Sequence, residues 1–446
     1  MVEKKSEIPS GVFSGAKTER NQQLGKFKIL VLVTPFATIL VVSLSTGPYT
    51  SHVPGGFEIR EAQMSAVLKL VQPQPFCEDV DVDLESSSRS FHSLHSAFAY
   101  LSSWQPQVVR YLVDRFSNKN DVVLDPYCGA GAVGLECLIA GRQFIGSASE
   151  HSLVRLAQAR LSPADIAEVA LRMQFVNFKR PVDIRGFQTP FPLFFDVDTY
   201  CELMNLKSSL KGSTDHVDRF VQFVVAGILH GHTVGHLSVY TSPQAALSPD
   251  AQATLNRKRG EVPSYRAVSA RVIKKAAGLL RDGIPSALLK ERNNAQVVCA
   301  DARDLSCVPT GKANLALICP EQPGLIGHGL RSWLRAWWLG LELPTSNAPF
   351  STVEEWQGYI NEVMFEMARL VKRGGRAVVR VGNGRIGSKA VSYRDQLTSV
   401  LNGGFGDYWS LEGTLIERHA KSSGLIKGAS PTAHEVAGEL VVLRRK

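Results

Sequence analysis

Cysteine is scarce in this chain, and what there is does not pair. Seven cysteines occur in 446 residues, at 77, 128, 137, 201, 299, 307 and 319, an odd number with no C-x-x-C spacing. That pattern argues against a disulfide framework and a zinc ribbon and suits a reducing cytoplasm. Compositional bias is missing too. At 44% hydrophobic and 20% charged residues the chain reads as an ordinary globular protein with enough length for one enlarged domain or two. Acid excess is absent, and the formal net charge of +9 leans towards a polyanionic partner.

Long apolar runs are limited to one, residues 29–46, ILVLVTPFATILVVSLST. Its length raises a membrane anchor as one reading. Pro35 near its middle and its wealth of valine and isoleucine favour the other, two buried strands joined at Thr34-Pro35. More than two dozen residues precede the run, an arrangement unlike a cleaved signal peptide.

Along the chain, residues 1–25 are polar, and 58–71 carry helical spacing in Ile59, Ala62, Ala66 and Leu70. Residues 72–90 read as a linker, with the acidic run 78–83 as a solvated loop. The expected division is an N-terminal region 1–90, a first core segment 91–159, an insertion 160–292 and a second core segment 293–446.

The insertion concentrates positive charge. Ten basic residues lie between 257 and 292 (Arg257, Lys258, Arg259, Arg266, Arg271, Lys274, Lys275, Arg281, Lys290 and Arg292) against Glu261, Asp282 and Glu291, a balance of +7. The run is either a solvated helix face or a track for phosphates. His230, His232 and His236 are loosely spaced, with no cysteine or carboxylate to complete a ligand set, so no metal is expected there.

Chemistry concentrates in residues 121–150, DVVLDPYCGAGAVGLECLIAGRQFIGSASE. The β-branched run Val122-Val123-Leu124 predicts a buried strand, the glycine turn Gly129-Ala130-Gly131 breaks it, and 132–140 supplies a helix. Two glycines at i and i+2 let a ligand approach the backbone, and the helix N-terminus points free N–H groups at it. The string DPYCGAG resembles the cofactor loop of the S-adenosylmethionine-dependent DNA amino-methyltransferases, usually D-P-F-C-G-S-G. The segment before it, Phe91-His92-Ser93-Leu94-His95 with Trp104-Gln105-Pro106, also resembles that family, with Ser103 in place of a lysine. A D-A-R segment follows the predicted strand at 296–300, and an aromatic helix lies at 331–340.

The resemblance implies a doubly wound α/β, Rossmann-like methyltransferase sheet with a helical and loop insertion. It implies S-adenosyl-L-methionine as cofactor, held by Asp125, Tyr127, Gly129, Gly131 and Asp301. The family's ribose-binding acid falls on Ala148, which leaves Glu150, two residues on, as the substitute. The reactive loop, usually S-P-P-Y, D-P-P-Y or N-P-P-F, falls on Cys319-Pro320-Glu321-Gln322. Cys319 and Pro320 take the places that face the target amine; Glu321 replaces the second proline and Gln322 the aromatic that stacks on an extruded base. DNA is the implied substrate, through an exocyclic amine of adenine or cytosine, in the setting of restriction and modification. Two other readings stay open: methylation of RNA or protein, and an inactive relative that binds nucleic acid or a protein partner.

Overall fold

A computed structural model describes residues 23–24, 27–33, 39–45, 75–82, 91–98, 104–188, 190–242, 246–322, 333–340, 350, 352–386, 389–419 and 435–446. The expected helix at 58–71 and Ser103 lie outside them. The chain divides into two compact units, 1–76 and 77–446. In the first, β1 (Gln23–Leu24), β2 (Phe27–Val33) and β3 (Ile39–Ser45) form an antiparallel sheet, with Phe27 opposite Ser45 and Val33 opposite Ile39. The apolar run is thus two strands either side of the Pro35 segment. Among the described residues no helix is long and apolar enough to cross a membrane.

The second unit is built on one large sheet. Its strands are β4 (Phe76–Val82), β5 (Val122–Asp125), β6 (Gln143–Ala148), β7 (Ala295–Cys299), β8 (Ala313–Ile318), β9 (Val371–Val381), β12 (Trp409–His419) and β13 (Glu435–Arg445). A separate small hairpin pairs β10 (Asn383–Ile386) with β11 (Lys389–Ser392). The large sheet runs in the order β7-β6-β5-β8-β9-β13-β12-β4. Strands β5 to β9 are parallel, and β13 enters antiparallel between β9 and β12. After β5 the chain steps outward to β6 and β7, then returns to lay β8 on the other side of β5. Neighbouring strands β5 and β8 therefore have crossovers leaving in opposite directions, and the crevice beyond their carboxyl ends is where doubly wound sheets bind ligands.

The central strands are apolar throughout because helices cover both faces. Val123, Leu124, Leu315, Leu317, Ile318 and Val379 are all inaccessible to solvent. One face packs on helix Val353–Leu370, whose Trp356, Ile360, Val363, Met364 and Met367 are buried. Thr352 caps that helix and accepts from the Glu355 N–H at 3.1 Å. Residues 372–375 form an excursion within β9. Ala313 pairs with Val371 but Leu315 with Arg376, so the β9 strand loops out between them around Gly374 at φ +78°.

One expectation is corrected. The acidic segment 78–83, read as a solvated loop, is instead largely β4 at the sheet edge. Its acids alternate with Val80 and Val82, a period-two pattern that outweighs the charge count. Glu78 anchors it through a two-pronged pair with Arg115, at 2.5 and 3.0 Å.

Candidate active site

The β5 strand delivers Asp125 to the switch point. The residue is 2% exposed, and its carboxylate accepts the Tyr127 N–H at 2.9 Å. Burial pushes this carboxyl up to about 7, against the pull of that N–H. The chain then turns through Gly129 (φ +48°) and Gly131 (φ +77°), and Gly131 caps the helix Ala132–Ile139 in a left-handed conformation. A Cβ on Gly131 would lie 3.1 Å from the Ala157 Cα, so the turn needs glycine for both conformation and space. The loop is pinned by Cys128 N–H donating to the Ser147 carbonyl at 2.9 Å and Gly131 N–H to the Cys128 carbonyl at 2.7 Å. This is the predicted strand, turn and helix, with open N–H groups at the helix start.

Two acids flank the loop along the strand ends. Glu150 follows β6 in extended conformation (φ −129°, ψ 131°), which keeps it on the side of Ala148. Its Oε2 is buried and has no hydrogen-bond partner among the described residues. An orphaned carboxylate oxygen at this place fits a hydroxyl-bearing ligand, the role of a ribose-binding acid. Asp301, after β7, is held by Arg303 through both carboxylate oxygens at 3.0 Å. That guanidinium keeps the Asp301 carboxyl below its ordinary range. Between the acids, the Cys299 thiol lies 3.3 Å from His151 Nδ1, a pair that nothing local in the sequence signalled.

Tyr127 differs from the phenylalanine of the family by a hydroxyl, and the structure employs it. Its OH lies 2.9 Å from the Tyr359 OH, and Arg303 sits over the Tyr359 ring at 5.4 Å. Burial raises the Tyr127 hydroxyl well above its ordinary value, with Tyr359, Asp301 and Glu321 adding to the effect. Tyr359 belongs to the site and was missed from sequence, because it is 232 residues away on another helix.

The residues expected in the reactive loop leave β8 beside the glycine turn. Burial pushes the Cys319 thiol up, although the Arg380 guanidinium hydrogen-bonds the sulfur and pulls the other way. Arg380 also donates to the fully buried Glu417 at 2.8 Å. The Glu321 carbonyl accepts from Trp356 Nε1 at 3.0 Å. Gln322, where the family has its stacking ring, is 5% exposed and folded inward. Its amide donates to the Arg380 carbonyl at 3.2 Å and accepts the Gly382 N–H at 3.0 Å. Gln322 is a clamp between the β8 and β9 ends.

The histidines of the Phe91 segment and of the insertion sit within the packing. His92 caps the turn Ser93–Ala97, accepting the Leu94 N–H, and its other nitrogen donates to the Gly283 carbonyl at 2.9 Å. His95 meets Glu136 at 2.7 Å, with Arg110 on the other carboxylate oxygen. His230 is fully buried against the Ser242 carbonyl, and burial holds its imidazole well below the ordinary value. Burial lowers His236 to about 4. The described residues contain no group of three or more His, Cys, Asp or Glu able to share a metal ion.

The tryptophans of helix Trp333–Leu339 pack it into the insertion. Trp333 donates to the Leu247 carbonyl and Trp338 to the Gln222 carbonyl, each at 3.1 Å. The basic run of the insertion divides. Arg266 donates to the His236 and Ser238 carbonyls, and Lys275 to the Ser96 carbonyl at 2.7 Å. Arg257, Lys258 and Arg259 are exposed together at the end of helix Pro249–Arg259, with Arg259 over the Tyr240 ring at 4.0 Å.

Residues 93–159 match a family model described as DNA methylase. A type II methyltransferase of Methanocaldococcus jannaschii is 28% identical over 91 residues, covering 20% of this chain and 17% of the relative. One of Xanthomonas campestris pv. cyanopsidis is 35% identical over 65 residues, 15% of this chain and 22% of the relative. The chain thus spans about a fifth of the length of these relatives. Among solved structures, a tRNA (m1A58) methyltransferase of Aquifex aeolicus aligns over 80% of this chain and 75% of its own, at 10% identity and a TM-score of 0.32.

Proposed function

We propose that this chain, whose residues 93–159 match a family model described as DNA methylase, is an S-adenosyl-L-methionine-dependent methyltransferase acting on an exocyclic amine of adenine or cytosine in DNA. The observation that carries the reading is the set of residues gathered at the strand ends of the β5/β8 switch point. It combines a glycine loop at a helix start, the orphaned Glu150 oxygen and Asp301 on the next strand end. Gly129 and Gly131 let the backbone approach the cofactor, Glu150 takes its ribose, and Asp301 its adenine amine. Asp125 and Tyr127 shape the floor. When bound, the cofactor supplies an electrophilic methyl group on a sulfonium. Cys319-Pro320 open the loop that holds the target amine beside it, so positioning and exclusion of water are the protein's main contributions. The exposed Arg257, Lys258 and Arg259 supply phosphate contacts, and the protein works in the cytoplasm, where its thiols stay reduced.

Calorimetry with S-adenosylmethionine tests the pocket. The wild type should bind, and Gly129→Asp, which puts a side chain and a charge into the loop, should not. Labelled methyl transfer is then compared on unmethylated genomic DNA and on RNA. Absence of cofactor binding by the wild type refutes the proposal, and transfer to RNA alone moves the substrate.

A further inference from the structure

Helix Val353–Leu370 touches the ends of three strands as well as the sheet it covers. Its residues Trp356, Tyr359, Glu362 and Glu366 are spaced by three or four, so they share one edge of the helix. Each reaches a chain segment that has just left the carboxyl end of a strand. Trp356 Nε1 donates to the Glu321 carbonyl after β8 at 3.0 Å. Tyr359 meets Tyr127 after β5, hydroxyl to hydroxyl, at 2.9 Å. After β7, the Arg303 guanidinium donates to Glu362 at 3.4 Å, and Glu366 accepts the Leu305 N–H at 2.7 Å. One helix edge thus sets the spacing of three segments that meet only in the folded sheet.

Tyr359 stands in the middle of that edge. Its ring packs on Phe350, with 5.1 Å between centroids, and carries the Arg303 guanidinium at 5.4 Å. Arg303 in turn grips both Asp301 oxygens at 3.0 Å. The ion pair of Arg303 with Glu362 is well exposed, so that part of the network holds weakly. The hydroxyl pair is the stronger tie, because a hydroxyl withdrawn from water and left without a partner is costly. Burial raises both hydroxyls above their ordinary value, so both keep their protons and one donates to the other. The contact falls two residues before Gly129, where the backbone turns to φ +48°.

We propose that Tyr359 is a positioning residue for cofactor binding: it tethers the glycine loop through the Tyr127 hydroxyl, from the same helix edge that holds Arg303 and the Glu321 carbonyl. The inference rests on the methyltransferase reading above and deepens it. Gly129 and Gly131 give the loop its turn, and they also give its backbone conformational freedom. An untethered loop loses that freedom when a ligand orders it, and affinity falls accordingly. A loop held at Tyr127 is ordered before the cofactor arrives. A phenylalanine at this place, as in the related loops, has no hydroxyl to hold, so the tether belongs to the tyrosine pair of this chain.

The experiment uses the full chain, with Tyr359→Phe, Tyr127→Phe and the double variant beside the wild type. Affinity for S-adenosylmethionine is read by calorimetry, well below the melting temperature of every variant. Each single variant breaks the hydroxyl contact and should weaken cofactor binding roughly tenfold. The double variant breaks the same contact, so it should also lose roughly tenfold, and not the roughly hundredfold of two independent losses. Wild-type affinity in Tyr359→Phe overturns the inference and leaves the functional reading intact, since the pair would then serve stability alone. Losses that multiply in the double variant also overturn it, because the two hydroxyls would then act apart. No cofactor binding by the wild type overturns the functional reading, and the inference with it.

Discussion

Replacing Asp125 with asparagine separates what the pocket needs from what the fold tolerates. The carboxyl is 2% exposed and titrates in the folded protein at about 7, against 3.8 for an ordinary aspartate. Because the folded value is the higher one, the native state holds this proton more tightly than the unfolded chain does. The site costs nothing below pH 3.8, and its cost grows with pH until it is complete above about 7. A displacement of about three units corresponds to about 4 kcal/mol at full ionisation. Asparagine keeps the oxygen that accepts the Tyr127 N–H and removes the charge. The stability of Asp125→Asn relative to wild type should therefore rise by about 1.4 kcal/mol per pH unit from about pH 5 to 7 and level off by about pH 8. Urea unfolding at each pH, followed by fluorescence of the buried Trp338, Trp356 and Trp409, measures the difference. A gap that stays constant with pH, or one that closes as pH rises, refutes the reasoning. The same variant should bind the cationic cofactor more weakly, which explains why a costly carboxylate stands at the switch point.

Other changes test other parts. Gln322→Leu removes both clamp bonds and strands the Gly382 N–H, so it should destabilise by about 1–3 kcal/mol in the same unfolding assay. Gln322→Phe, which brings back the family's ring, should destabilise as well and not raise transfer, because the side chain points inward. Gly134→Ala sets a methyl 2.7 Å from the Phe144 ring and should lower stability by about 1–3 kcal/mol, visible as a lower melting temperature. Charge reversal at Arg257, Lys258 and Arg259 should weaken DNA binding and flatten its dependence on salt, the slope falling by about one unit for each phosphate that is no longer neutralised.

Local pattern made the glycine-turn half of the candidate site legible. Val122 to Gly131 encode strand, turn and helix start within ten residues, and Asp301 is marked by its place after β7. The end of β8 was legible only in position. Cys319 and Gln322 sit where the loop places them, but Arg380 and Gln322 meet across 58 residues of sequence, and no local spacing announces the clamp. The strand β4 is marked in the sequence by the alternation of Val80 and Val82, which the charge of its acids masks. His92 and His95 are occupied by Gly283 and Glu136, partners that lie far along the chain.

By itself the sequence determined which stretches become strand, turn and helix, and where a glycine loop could admit a ligand. Those properties depend on neighbours a few residues apart, through backbone sterics and hydrophobic period. Tertiary structure alone decided how β8 lies beside β5, how Tyr359 reaches Tyr127, and how Arg380 comes to Cys319. Each is a long-range contact whose partners share no local pattern, set by the packing of the sheet against its helices. The pocket is thus written locally, and its chemistry is decided by what the fold brings to it.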